Sequence, residues 1–211
     1  MSKKRIYLVR HGETNYNVGG LVQDGSSVLT ERGVRQANQV AERLRHLDFQ
    51  NLIVSDYERT KQTAEPVAEL TGITPEFTDL FREVRRPSEF FHTKRNLPGY
   101  QDFLLAVEAN FTNPDWRHSD EESVADIITR AKKALQHLTN LEGDTVVISH
   151  GVFICLLTAT VACNLELDAP TWQKMHKGFY VTNTGISTFV YDEEKQHWYI
   201  LTFNDHVHFA E

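Results

Sequence analysis

Cysteine is scarce in this chain of 211 residues, with only Cys155 and Cys163 and no CxxC pair. Both lie in an apolar segment of helical pattern, which favours a buried structural role over a disulfide or a metal site. The sequence also lacks an HExxH motif and an EF-hand loop, and its histidines are scattered. We therefore expect no metal and no cofactor.

Positive charge and long apolar runs are also in short supply. The 22 lysines and arginines face 29 acidic residues, and the formal net charge of −7 argues against a general nucleic-acid binder. The apolar run behind the charged N-terminus covers only residues 6–9, which is too short for a signal peptide or a membrane span. These features predict a cytoplasmic protein with no nucleic-acid partner and no membrane partner.

The composition is typical of one globular unit. Hydrophobic residues make up 40% of the chain and charged residues 24%, close to the average of folded domains. No internal repeat, low-complexity tract or linker interrupts the sequence. A chain of this length suits one well-buried α/β domain and is short for two, so we expect a single domain over 1–211.

The first apolar stretch ends at an unusual pair of side chains. Residues 6–9 are rich in β-formers and predict a buried strand, which Arg10 and His11 follow directly. A charged arginine and a titratable histidine are costly at the edge of an apolar core unless they serve a site. Gly12 then allows the backbone to approach a ligand closely.

The same arrangement recurs twice further along the chain. Residues 145–149 predict a second strand that stops at His150 and Gly151, and residues 52–54 a third that precedes a helix carrying Arg59. Ligands of open α/β sheets bind outside the carboxyl ends of the strands. If the three strands are neighbours, two arginines and two histidines converge on one pocket.

The remaining pattern predicts alternating helices and strands. Thr30 fits a helix N-cap ahead of a buried stripe that includes Val34 and Ala37, and Ser55 or Asp56 fits the cap of the Arg59 helix. The expected elements are helices over 30–46, 100–111, 121–138 and 152–162, an edge strand over 73–77, and antiparallel edge strands over 184–191 and 198–203.

These motifs together resemble the histidine phosphatase superfamily, also called phosphoglycerate mutase-like. The resemblance is ordered along nearly the whole chain and implies an α/β three-layer sandwich, a mostly parallel central sheet flanked by helices. It also implies that the family's acid is Glu83, in the setting Leu80-Phe81-Arg82-Glu83. The matching residues are Arg10-His11-Gly12-Glu13-Thr14, Asn17, Ser55, Arg59, Gln62-Thr63-Ala64 and Ser149-His150-Gly151.

Our hypothesis is that one nitrogen of His11 attacks phosphorus while a backbone carbonyl fixes the N–H of the other. Glu83 would protonate the leaving oxygen and then deprotonate the hydrolytic water. The groups expected to bind the phosphoryl oxygens or the substrate are Arg10, Arg59, His150, the N–H of Gly151, Asn17, Thr14, Arg85 and Arg86.

Several of these residues have a structural alternative. Glu83 could instead pair with Arg82 or Arg85, and Arg59 could form a surface ion pair with Glu58 or Glu65. For four residues of the loop, a solvated position and contact with substrate are equally expected, namely Arg85, Arg86, His92 and Lys94. His206 and His208 are expected to be exposed.

Hydrolysis of a small phosphorylated metabolite is the leading functional reading. A phosphoglycerate mutase-type transferase is the second, although the segment from Glu83 to Ser88 does not resemble the longer shielding segment of such mutases. A non-catalytic phosphate-binding module is the third, and the intact set of site residues argues against it. The natural substrate and a homodimeric state stay open, because the loop over 83–99 sets substrate choice through its shape.

Overall fold

Six strands form one mixed sheet in the computed structural model, which describes residues 3–209. They are β1 (Lys3–Arg10), β2 (Asn51–Ser55), β3 (Glu76–Thr78), β4 (Thr145–Ser149), β5 (Ile186–Asp192) and β6 (His197–Asp205). Their spatial order is β3-β2-β4-β1-β5-β6. The first four in this order run parallel, whereas β5 is antiparallel to both β1 and β6.

Residues 3–209 contain seven α-helices, and helices cover both faces of the sheet. They are α1 (Asn15–Gly19), α2 (Glu31–Leu44), α3 (Glu58–Thr71), α4 (Pro98–Ala109), α5 (Val124–Asn140), α6 (Gly151–Ala162) and α7 (Ala169–Met175). Side chains of α2 and α3 share one buried cluster with the sheet, and those of α5 and α6 share another. The predicted α/β sandwich is therefore confirmed.

The alternation of side chains along the central strands explains the two clusters. Successive residues of a strand point to opposite faces. Val146 and Ile148 of β4 accordingly pack toward α2 and α3, while Val147 packs toward α5 and α6. Apolar residues on both faces are typical of a parallel sheet that helices cover on both sides.

The carboxyl ends of β1, β2 and β4 lie side by side. Arg10 of β1 is in register with Ser149 of β4, and Val54 of β2 with Ile148 of β4. A Cβ atom added to Gly12 would lie 2.6 Å from the carbonyl oxygen of Gly33, so the chain after β1 touches α2 where only glycine fits. The sheet thus brings together the three strand ends that the sequence singled out.

Helix α4 is attached differently from the others. Its buried residues Tyr100 and Phe103 join Val22 in a small cluster separate from the two main ones. Three backbone hydrogen bonds tie the segment before α4 to the loop after α1. Val22 N–H donates to Thr93, His92 N–H donates to Val22, and Arg95 N–H donates to Gly20. This part of the molecule forms one wall of the site described below.

The predicted cap of α3 is wrong, because both candidate side chains are engaged elsewhere. The N-cap is Tyr57, which makes no side-chain capping bond. Asp56 instead accepts hydrogen bonds from the guanidinium of Arg82, and the Ser55 hydroxyl bonds His150. The Thr30 cap, in contrast, is confirmed, because its side chain accepts a hydrogen bond from the backbone N–H of Gly33.

Other differences concern boundaries and exposure. The strand expected over 73–77 begins after Pro75, at Glu76, which fits the missing proline N–H. Helix α2 ends at Leu44 rather than near residue 46. Val34 is 49% exposed and not part of the buried stripe, since Gly33 is the residue of that turn that faces the backbone after β1.

His208 is half-buried, which corrects the expectation of exposure, whereas His206 is exposed. The ring of His208 contacts the Arg43 guanidinium at 3.0 Å and the Thr184 hydroxyl at 3.4 Å. Burial and the charge of Arg43 lower the pKa of His208 to about 4.

The two cysteines are free thiols, with Cys155 buried and Cys163 half-buried. No helix within the described part of the chain combines the length and apolarity needed to cross a membrane.

Candidate active site

A cavity of about 340 Å³ opens at the carboxyl ends of the parallel strands. Two of the residues predicted for the site, Thr14 and His150, lie behind its wall rather than on it. The predicted residues that line it are Arg10, His11, Asn17, Arg59, Glu83, Arg85, Arg86 and Gly151. The structure therefore brings most of the predicted set to one place.

His11 is buried, with 3% of its surface exposed, and its Nδ1 lies 2.7 Å from the carbonyl oxygen of Gly12. A carbonyl only accepts hydrogen bonds, so Nδ1 carries the proton and Nε2 carries the lone pair. Burial lowers the pKa of His11 well below its ordinary value, and the charges of Arg59 and Arg10 lower it further. The imidazole is thus neutral, fixed in one tautomer and able to act as a nucleophile.

Arg59 extends from the first turn of α3 and is 2% exposed. Its Nη1 donates to the carbonyl of Asp24 at 2.7 Å and to the hydroxyl of Ser27 at 3.0 Å, and its Nη2 donates to His150 Nδ1 at 3.1 Å. Burial lowers the pKa of Arg59 to about 10, which leaves the group charged at neutral pH. No surface ion pair with Glu58 or Glu65 forms within residues 3–209.

Arg10 approaches from β1, and its Nη1 donates to the carbonyl of Val181 at 2.5 Å. The Nε atoms of Arg10 and Arg59 are both buried and have no hydrogen-bond partner among the residues that the structure describes. A Cβ atom on Gly151 would lie 3.4 Å from the Arg10 Nε, beside this unused donor. Two buried guanidinium groups that line one cavity, each with an unpartnered Nε, are the type of donor that binds anions in proteins.

His150 is fully buried between two protein partners. Because an arginine can only donate, His150 Nδ1 accepts from Arg59, and Nε2 donates to the Ser55 hydroxyl at 2.8 Å. The rings of His150 and His11 pack edge to face with centroids 5.3 Å apart. Both ring nitrogens of His150 are taken by these partners, so His150 holds Arg59 in place and offers no N–H of its own to the cavity.

Glu83 lies at the N-terminus of α6. Its Oε1 accepts from the backbone N–H groups of Val84 at 2.9 Å and Phe153 at 3.0 Å, and its Oε2 accepts from Val152 at 3.1 Å. The alternative pairing with Arg82 is not formed, since Arg82 binds Asp56. The carboxyl group is therefore held in the cavity wall by backbone donors.

Asn17 is fixed at the start of α1. Thr14 caps this helix, and its backbone N–H donates to Asn17 Oδ1 at 3.1 Å, so Thr14 positions Asn17 and is itself fully buried. Asn183 donates to the His11 carbonyl at 2.9 Å and reaches Asn17 Oδ1 at 3.4 Å. Asn183 lies far from both in sequence, and no motif signalled its role.

Only some residues of the loop over 83–99 line the cavity. Arg85, Arg86 and Arg95 line the cavity, and they form no ion pair within residues 3–209. His92 instead contacts the Tyr16 hydroxyl and Asp24, and Lys94 forms a backbone bridge to Leu21. The cavity also has an aromatic wall that the sequence analysis missed, composed of Tyr57, Phe91, Tyr100, Trp172, Phe179 and Tyr180.

Among residues 3–209, no group of three or more histidine, cysteine or acidic side chains is arranged to hold a metal ion. Cys155 lines the cavity, but burial and the charge of Glu83 raise the pKa of its thiol to about 12, so it is not a nucleophile at neutral pH.

Known proteins resemble this chain in sequence and in fold. The chain is 32% identical over 212 residues to a probable phosphoglycerate mutase of Salmonella arizonae, covering 97% of this chain and 94% of the relative. A variant of the phosphoserine phosphatase of Entamoeba histolytica, solved with phosphoserine, superposes with a TM-score of 0.80 at 25% identity, covering 98% and 100% of the two chains. A mycobacterial glucosyl-3-phosphoglycerate phosphatase superposes with a TM-score of 0.79 at 23% identity, covering 97% and 100%. Residues 6–206 match the model of the histidine phosphatase superfamily (branch 1), and the chain belongs to that family.

Proposed function

We propose that this protein is a phosphomonoesterase that hydrolyses a phosphorylated metabolite, without a metal, through a phosphohistidine on His11. The observation that carries the proposal is the neutral His11 beside two unused guanidinium donors. Its Nδ1–H is held by the Gly12 carbonyl, and the Nε atoms of Arg10 and Arg59 have no partner in the described part of the chain. Such preorganised donors stabilise charge where it develops on a transferring phosphoryl group.

The reaction would run in two displacements. Nε2 of His11 attacks phosphorus, the bond to the ester oxygen breaks, and Glu83 gives its proton to the departing oxygen. Water then attacks the phosphohistidine and gives one proton to Glu83, the N–P bond breaks, and inorganic phosphate leaves. Both residues return to their starting states, so no further reactant is needed.

The arginines divide into two groups by burial. Arg10 and Arg59 would bind the phosphoryl oxygens, with Asn17 and the N–H of Gly151 as neutral donors. Arg85 and Arg95 are exposed at the cavity, and with Arg86 they form a cationic rim that makes no ion pair among residues 3–209, on a protein whose net charge is −7. Their charge would attract an anionic substrate toward the opening.

Transfer between hydroxyl groups is the second candidate function. The relative from Salmonella arizonae is named a probable phosphoglycerate mutase, and a mutase would use the same His11. Hydrolysis is favoured because the loop after Glu83 differs from the shielding segment of mutases. The intact His11, Arg59 and Glu83 set argues against a non-catalytic module.

The test is hydrolysis of p-nitrophenyl phosphate with a chelator present. Wild-type protein should turn over under these conditions, and His11→Ala should lose activity by several orders of magnitude. Activity that required added divalent metal would contradict the metal-free account. Transfer of the phosphoryl group to 3-phosphoglycerate instead of water would favour the mutase. A cytoplasmic location and a homodimer stay predictions.

A further inference from the structure

We propose that the natural substrate is a phosphate ester with a bulky apolar group, and that this group occupies a second chamber next to the catalytic cavity. The inference depends on the proposed phosphomonoesterase function and adds the chemical class of the leaving group.

The second chamber has a volume of about 390 Å³ and lies beneath α4. Its apolar lining includes Phe103, Leu104 and Val107 of α4, Phe111 after that helix and Ile127 of α5. Polar and charged residues such as Glu108 and Glu121 line other parts of it. A chamber with this lining accepts apolar groups more readily than hydroxyl-rich ones.

The two cavities share a wall made of side chains. The residues that line both are Val84, Arg85, Arg86, Val152, Trp172 and His176. The shared residues belong to the loop after Glu83, to the first turn of α6, to α7 and to the residue after α7, so a group that passes from the first chamber to the second must displace some of their side chains.

The position of Glu83 connects the chamber to the leaving group. The backbone N–H groups of Val84 and Val152 hold the Glu83 carboxylate, and the side chains of the same two residues line both cavities. In the proposed reaction Glu83 protonates the oxygen of the departing group. The carbon skeleton attached to that oxygen would consequently begin beside the residues that the two cavities share.

The catalytic cavity itself has an aromatic wall. It includes Phe91, Tyr100, Trp172 and Phe179, beside polar residues such as Gln23. The methylene stems of Arg85 and Arg86 extend this surface while their charged ends attract the phosphate.

Helix α4 has the character expected of a wall for an apolar ligand. Leu105 is 68% exposed and lines the second chamber, and Leu104 and Val107 are only partly buried. The helix is held by the small cluster of Val22, Tyr100 and Phe103, and its Val107 also packs against one of the main clusters. Leu104 and Leu105 are not fully buried, so their side chains can adjust to a ligand at low cost.

The substrate test is a series of n-alkyl phosphates from ethyl to decyl, assayed beside phosphoserine and 3-phosphoglycerate. Burial of each methylene gives at most about a fourfold gain, so kcat/KM should rise by about a hundredfold from ethyl to octyl phosphate. A flat series, or a higher kcat/KM with phosphoserine or 3-phosphoglycerate, would overturn the inference. Absence of hydrolysis with every ester would instead refute the proposed function.

Matched leucine variants localise the effect. Leu105→Glu adds a carboxylate at the second chamber, whereas Leu70→Glu makes the same change on α3 at a leucine that is 45% exposed and lines neither cavity. Leu105→Glu should lower kcat/KM for octyl phosphate at least about tenfold and leave ethyl phosphate within about twofold, and Leu70→Glu should change neither. Leu104→Trp, which places a larger side chain against the chamber, should act like Leu105→Glu. Equal losses for both esters, or no loss for octyl phosphate in either chamber variant, would show that the chamber does not hold the substrate.

Discussion

Arg59→Lys separates the charge of this residue from its geometry. The ammonium of lysine keeps the positive charge, but it cannot reproduce the planar fork of the guanidinium. In the native site the fork serves three acceptors, on Asp24, Ser27 and His150, and keeps its Nε unpartnered. We expect the variant to fold, to lose stability and to lose most of its activity.

The magnitudes follow from the lost bonds. One ammonium group in this position can satisfy one of the three acceptors, and each of the two others then costs about 1–3 kcal/mol, so unfolding becomes easier by about 2–6 kcal/mol. Loss of the Nε donor to the phosphoryl oxygens should lower kcat by about 10²–10³, the effect of removing one preorganised donor. Urea unfolding and p-nitrophenyl phosphate hydrolysis measure the two effects separately.

Arg82→Lys is the matched control. Arg59 and Arg82 lie over the same Tyr57 ring, with guanidinium carbons 4.9 and 5.2 Å from its centroid. Arg82 does not line the catalytic cavity, and its side chain is 42% exposed and paired with Asp56. Its replacement should cost less than about 1 kcal/mol and leave kcat within about twofold. A folded Arg59→Lys enzyme within threefold of wild type, or equal losses in both variants, would refute the reasoning.

Three further predictions concern pH, the acid and a close backbone contact. Burial lowers the pKa of His11 and His150 below the ordinary 6.5, so the unfolded chain binds protons that the native protein does not. As the pH is lowered from about 6.5, the free energy of unfolding should thus decrease by up to about 1.4 kcal/mol per pH unit for each histidine, and above pH 6.5 it should stay level. Urea titrations at pH 5 to 8 measure this dependence, and a free energy of unfolding that increased on acidification would contradict it. Glu83→Gln should lower kcat for alkyl phosphates by about 10²–10⁴, and unchanged turnover would exclude Glu83 as the acid. Gly12→Ala would place a Cβ atom 2.6 Å from a backbone carbonyl oxygen of α2 and should destabilise the fold by more than about 2 kcal/mol. Gly178→Ala is the control, because its Cβ atom would meet nothing within 4 Å. Equal melting temperatures of the two variants would show that the close contact at Gly12 does not matter for stability.

The part of the candidate site around His11 could be predicted because it is built from strand ends. A strand followed by Arg10 and His11, and another followed by His150, carry their functional residues at positions that sheet topology places together. The carbonyl that fixes His11 belongs to the next residue, Gly12, so it was also within reach of sequence reasoning. Local signals and one rule of sheet architecture suffice for this half.

The substrate half depends on long-range packing that no local pattern encodes. Tyr100, Trp172 and Phe179 lie on different elements and meet only in the folded molecule. The misplaced cap of α3 has the same cause, since Asp56 caps a helix in isolation but binds Arg82 in the fold. His208 likewise became half-buried through Arg43, a residue on a helix far from it in sequence.

The most direct test of the central claim is to find where the phosphoryl group resides during turnover. Glu83→Gln enzyme mixed with p-nitrophenyl phosphate should accumulate the phosphohistidine. The p-nitrophenolate group leaves with little help from a general acid, whereas hydrolysis of the phosphohistidine needs the general base that this variant lacks. Quenching in alkaline denaturant followed by peptide mass spectrometry should show one acid-labile phosphoryl group, on His11, that the Glu83→Gln/His11→Asn double variant lacks. Phosphate on another residue, or full hydrolysis by a single His11→Asn variant, would contradict the account.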